Sequence, residues 1–154
     1  MISEKTNRYL LGMAPAAVAK NTALTCLEID TLDLTGPTGK ADYMTVLFGF
    51  GTNDSGLSVL NMQASDTSAS YSGAYTGLDF AASGQTLPSS SDTNKIWAFR
   101  IDLRGKPRYW KLFATTANTG TNGLTGAFCV AILSRLEDSP NTLAKAGFAQ
   151  ELSA

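Results

Sequence analysis

Asp30 and Asp33 stand close enough in the chain to share a loop after a strand-like run. Two carboxylates held together could ligate calcium or work as an acid–base pair. The plainer role is turn formation, since an Asp side chain accepts from the backbone two residues on. The other aspartates named by their surroundings, Asp54, Asp66, Asp79, Asp92 and Asp102, are scattered. Asn53-Asp54-Ser55-Gly56 lacks the spacing of a calcium loop and reads as a hairpin turn. The chain has no histidine at all. That removes the commonest general base at neutral pH and the commonest metal ligand, and with them any Ser-His-Asp or Cys-His arrangement. Ser-Lys or paired-carboxylate chemistry has only loose residues to draw on. No phosphate loop or dinucleotide fingerprint occurs, because the glycines fall in turns between strands and never open a helix. The chain is therefore expected to have no enzymatic activity, no cofactor and no metal.

Cys26 and Cys129 lie inside strand-like apolar runs and are expected as free buried thiols, with a structural disulfide as the less favoured alternative. No Cys-x-x-Cys pair supports zinc or thioredoxin-type chemistry. The one basic cluster is Arg100, Arg104, Lys106, Arg108 and Lys111. Lys106 and Arg108 flank a tight turn, so they and Arg104 are candidates for contact with an acidic partner surface. The alternative is a solvated hairpin tip with Asp102 as local counter-charge. The aromatics there alternate with the charges as a core face would, and the net charge is −1, so no nucleic-acid partner is expected. Tyr71, Tyr75, Trp97 and Trp110 raise the possibility of a sugar-stacking platform, with Trp97 better explained as core.

Charged residues make up only 16% of the 154-residue chain, against about 25% in an average protein. Ser, Thr, Gly and Ala fill the difference. Such a surface solvates itself without repelling a neighbour, and charge depletion marks the centres of protein–protein interfaces. No apolar run approaches the length of a membrane-spanning helix, so no membrane partner is expected. Lys5, Arg8 and the stretch from Tyr9 to Ala19 imitate a secretory leader, but Gly12 and Pro15 interrupt it and no leader is expected.

The elements that must position these residues are strands. In Lys95 to Arg104, Trp97, Phe99, Ile101 and Leu103 share one face, and Ile96, Ala98, Arg100 and Asp102 the other. Gly105-Lys106-Pro107 predicts a turn, and Arg108 to Thr116 resumes the alternation, so Lys95 to Thr116 is expected to form a hairpin. Further strands are predicted over Thr22 to Ile29, Asp42 to Phe50, Leu57 to Ala64, Gly77 to Phe80 and Ala127 to Leu133. Short strands separated by turn formers indicate an all-β fold, a β-sandwich of the jelly-roll or a related double-sheet type. The expected organisation is an extended N-terminal arm (1–20), a β-sandwich domain (21–138), and a short helix over Asn141 to Ala146 with a tail (139–154). Ser139, Pro140 and Gly147 supply the helix boundary residues. Apolar residues on terminal arms need a surface to dock on. Tyr9, Leu10, Leu11, Phe148 and Leu152 thus join Arg104, Lys106 and Arg108 as candidate protein-binding residues.

The segment from Asp92 to Tyr109 (DTNKIWAFRIDLRGKPRY) resembles part of small structural proteins encoded by tailed phages and prophages. Phe48-Gly49-Phe50-Gly51-Thr52-Asn53-Asp54 and Ala131-Ile132-Leu133-Ser134-Arg135-Leu136-Glu137 followed by Pro140 fit the same pattern. The similarity runs roughly from Asp42 to Pro140. It implies a capsid decoration (cement) protein on the outer surface of the virion. Its partner would be the major capsid protein, and it would be a homo-oligomer, a trimer or dimer. The alternative is a tail, baseplate or head-fibre component with a glycan-binding β domain.

Overall fold

The structure, a computed structural model, describes residues 8–32, 41–134 and 150–153, the last four and Arg8 by backbone only. The described chain is all β. Its strands are β1 (Arg8–Ala19), β2 (Ile29–Asp30), β3 (Tyr43–Phe50), β4 (Leu57–Ser65), β5 (Ala74–Asp79), β6 (Lys95–Asp102), β7 (Tyr109–Thr116), β8 (Gly123–Ser134) and β9 (Gln150–Ser153). They form two sheets, in the orders β1-β8-β3-β6-β9 and β2-β7-β4-β5. All pairings are antiparallel except β6 with β9, which is parallel. The first eight strands nest. β1 pairs with β8, β2 with β7, β3 with β6 and β4 with β5.

Period-two patterning explains the core. In β7 every second residue, Trp110, Leu112, Ala114 and Thr116, is buried, and Tyr109, Lys111, Phe113 and Thr115 are half-buried on the other face. In β6 the expected inner face of Trp97, Phe99 and Ile101 is buried and continues into Leu103. In β8 the small residues Ala127, Cys129 and Ala131 are buried with Leu133, and the bulkier Phe128, Val130 and Ile132 lie half-buried on the opposite face. Small side chains there make room for Phe48, Phe50, Trp97 and Trp110, which belong to the same core cluster. Phe80, just past β5, meets Phe99 of β6 edge-to-face at 5.3 Å, a contact between residues of the two sheets.

Two expectations change. Lys95 to Thr116 is not a hairpin, because β6 and β7 belong to different sheets. The chain does turn at Gly105, where φ is +71°, and the Lys106 N–H donates to the Leu103 carbonyl. But the Leu103 N–H is bound to the Asp42 carbonyl beside β3, whereas the Arg108 carbonyl accepts from Thr31 beside β2, so the connection steps across the sandwich. Thr22 to Ile29 is likewise no continuous strand. Its backbone bonds first to Ala114 of β7 (from Leu24) and then to Gly12 of β1 (from Leu27), before Ile29–Asp30 rejoin β7. A segment shared between two sheets cannot keep one ladder, and Leu27 is left 63% exposed while Leu24, Cys26 and Ile29 are buried.

Residues 8–19 of the expected N-terminal arm are an edge strand paired with β8 from Arg8 opposite Leu133 to Ala19 opposite Gly123. Residues 150–153 of the expected tail form β9 on β6, with Leu152 opposite Phe99. The expected helix over Asn141 to Ala146 and the candidate Phe148 lie outside the described residues.

Candidate interaction surface

β1 closes one edge of the five-stranded sheet. Alternation along it puts Leu10 against the core, half-buried, and turns Tyr9 and Leu11 outward, 67% and 54% exposed. Directly opposed residues share a face of a sheet. Tyr9 stands opposite Ile132 and Leu11 opposite Val130, and those in turn stand opposite Thr45 and Leu47 of β3. The outer face therefore carries two rows, Tyr9–Ile132–Thr45 and Leu11–Val130–Leu47, that are mostly apolar and run across three strands. Leu27 is exposed beside the same edge, tied there by its N–H donating to the Gly12 carbonyl at 2.7 Å. Register shifts at three points of the β1–β8 ladder and Pro15 within the strand interrupt the edge itself. What β1 offers a partner is thus side-chain surface more than an unbroken backbone ladder.

The basic candidates are engaged within the chain. Arg104 grips Asp102 through Nε and Nη2, with Nη2 to Oδ2 at 2.7 Å, and lies over the Tyr43 ring. Arg108 donates to both oxygens of Asp30 and lies over Tyr109. The Lys106 ammonium sits 5.5 Å from the centre of the Tyr75 ring. The hydrogen bond from Arg104 holds the Asp102 carboxyl down at about 2, and that from Arg108 lowers Asp30. Asp30 is consequently an ion-pair partner and also accepts from the Leu32 N–H, a turn-forming bond. Asp33 lies outside the described residues. Among the described residues no group of three or more acidic, cysteine or histidine side chains is placed to hold a metal ion.

Tyr71 and Tyr75 are half-buried and packed on aromatic neighbours. Tyr71 meets Phe113 edge-to-face at 5.7 Å and Tyr75 lies against Trp110 at 4.9 Å. The Trp110 indole N–H donates to the Pro107 carbonyl. Neither tryptophan is exposed.

Two further carboxylates, Glu28, which residue patterns did not single out, and Asp54, which they placed only in a turn, have defined work. Glu28 accepts from the Tyr71 hydroxyl, the Ser68 hydroxyl and the Ala69 N–H, and so pins the loop between β4 and β5. Desolvation opposes its charge, but these three bonds outweigh it and its pKa is lowered; the Tyr71 hydroxyl is pushed up, by burial and by the carboxylate it donates to. Asp54 accepts from the Thr121 and Asn122 N–H groups and organises the β7–β8 connection. Both pairings join residues 40 or more positions apart, which local patterns do not carry.

No protein-family model matches this chain, and no curated protein is significantly similar to it.

Proposed function

We propose that the chain is a phage capsid decoration protein that docks on the outer surface of the major capsid shell through the β1 face. The observation that carries this reading is the apolar strip of Tyr9 and Leu11 backed by Val130, Ile132 and Leu47, with Leu27 beside it. Isolated exposed apolar residues need no explanation, but a strip that crosses three strands is the kind of surface that is covered in use. The low charge of the chain suits close contact with a neighbouring subunit. The nested strand pairing supports reading the sandwich as a jelly roll, an eight-stranded double sheet used by viral capsid and lectin domains. The role proposed is structural. A cement protein binds the assembled shell and stabilises it by mass action. Repetition of the site over the shell favours a symmetric homo-oligomer on each local axis. Among the described residues no helix is long and apolar enough to cross a membrane.

Quantitative mass spectrometry of purified particles tests the location. Copy numbers comparable to the shell protein are expected. A handful of copies moves the protein to a tail or fibre, and absence removes the virion role. Co-sedimentation with shells lacking the protein tests the surface. The double substitution Tyr9→Ser, Leu11→Ser is expected to leave the fold intact and to weaken shell binding at least about tenfold, the loss of roughly one well-packed anchor. Unchanged binding would exclude the β1 face.

A further inference from the structure

Cys26 and Cys129 are both free and almost wholly buried, one on the segment that passes between the sheets, the other at the centre of β8. A chain of contacts running through Gly12 places them near each other. Leu27, next to Cys26, donates its N–H to the Gly12 carbonyl at 2.7 Å. Gly12 adjoins Met13, which stands opposite Cys129 in the β1–β8 ladder. A Cβ at position 12 would lie 3.0 Å from the Cys129 Sγ, so the glycine leaves room for that sulfur. The two buried sulfurs are near enough for each to shift the other's titration, Cys26 downward and Cys129 upward.

We infer that Cys26 and Cys129 are a modification site, a dithiol that closes to an intramolecular disulfide when a small disulfide such as oxidised glutathione accepts its electrons. The inference is independent of the virion role. The Cys26 sulfur, as thiolate, attacks one sulfur of the oxidant, forming a mixed disulfide and releasing one glutathione thiolate. The Cys129 sulfur then attacks the Cys26 sulfur, releasing the second glutathione. Both protons end on the two glutathione thiols, and two protein thiols are oxidised as one disulfide is reduced. Cys26 is suited to the first step. The neighbouring Cys129, aided by the charge of Lys111, lowers its pKa against burial, while Cys26 and burial raise that of Cys129. Access comes through residues 20–28. They are held by scattered backbone bonds at Lys20, Asn21, Thr22, Leu24 and Leu27 and by the side-chain bonds of Glu28, and not by a continuous ladder, so they open more readily than the sheets. Closure would fasten this segment to the middle of the five-stranded sheet and restrict an unfolded-state loop of roughly 100 residues.

The test is made on the full chain, folded, in reductant and after incubation with oxidised glutathione. Expected are loss of two hydrogens in the intact mass, a peptide pair joining Cys26 to Cys129, no intermolecular cross-link, and a melting temperature raised by roughly 10 °C that reverts with a phosphine. The Cys26→Ala variant should show no such rise. The site is overturned if both thiols still titrate after exhaustive native oxidation although unfolded chain oxidises. It is also overturned if glutathione adducts or intermolecular disulfides are the end products. If Cys26→Ala fails to fold, the reduced and oxidised wild-type protein still decides the matter.

Discussion

Arg108 and Asp30 form a two-pronged ion pair across 78 residues of sequence, with Nε to Oδ1 at 2.8 Å and Nη2 to Oδ2 at 2.7 Å. The pair sits where β2 meets β7, beside the Asp30–Tyr109 register position. Its planar geometry is one only arginine can supply. Arg108→Ala should lower the urea midpoint, and Arg108→Lys should recover less than half of that loss. Urea titration at low and high salt checks this; a loss that does not shrink with salt would point to lost packing on Tyr109.

Glu28 gives a pH-dependent contribution whose sign is fixed. Its folded pKa lies below the ordinary 4.5, so the stabilisation is fully present above 4.5 and is lost as the pH falls through the folded value. Glu28→Gln should cost about 1 kcal/mol near neutrality, after allowing for solvent screening. The difference from wild type should shrink as the pH drops below 4.5. The same variant should speed amide exchange at Ala69, whose N–H binds the carboxylate.

Gly120 has a φ of +72°, and a Cβ there would lie 2.2 Å from the Asp54 carbonyl oxygen. Strain and collision with backbone act together. Gly120→Ala should destabilise by about 2–3 kcal/mol, more than the loss from the left-handed φ alone. Thermal melts would show it; a change under half that size would mean that the β7–β8 connection shifts freely.

Phe80 and Phe99 touch at a ring-centre distance of 5.3 Å with planes at 86°. Each substitution to Leu should cost about 1–2 kcal/mol, and the double variant should reveal a coupling of about 1 kcal/mol. Strict additivity in urea denaturation would show that the ring geometry itself contributes nothing.

The strands whose two faces differ in polarity or size were legible in the sequence. β3, β6 and β7 follow the alternation of residues such as Trp97, Phe99 and Ile101 or Trp110 and Leu112, and the predicted Ala127 to Leu133 is the C-terminal part of β8, which begins at Gly123. β1 was not legible, because Gly12, Pro15 and three register shifts break period two. The turn at Gly105 was legible, but turn chemistry does not state which sheet the next strand joins, and β7 joins the other. Of the candidate surface, Tyr9 and Leu11 could be named from their types. Their placement on the outer face needed the pairing with Val130 and Ile132. The partner of Arg104 was within local reach at Asp102, whereas that of Arg108 was not.

The nesting of the strands also sets an order of events. Gln63 opposite Ala74 closes a short loop, whereas Arg8 opposite Leu133 closes almost the whole chain. Loop-closure entropy makes the inner pair the cheapest to form and the outer pair the dearest, and an architecture dominated by distant pairings folds slowly. A chain emerging from the ribosome holds β1 without its mate until β8 has been made. Until then the exposed Tyr9–Leu11 strand is a template for the wrong neighbour, so the hazard of misassembly is concentrated in the interval before synthesis reaches Ser134.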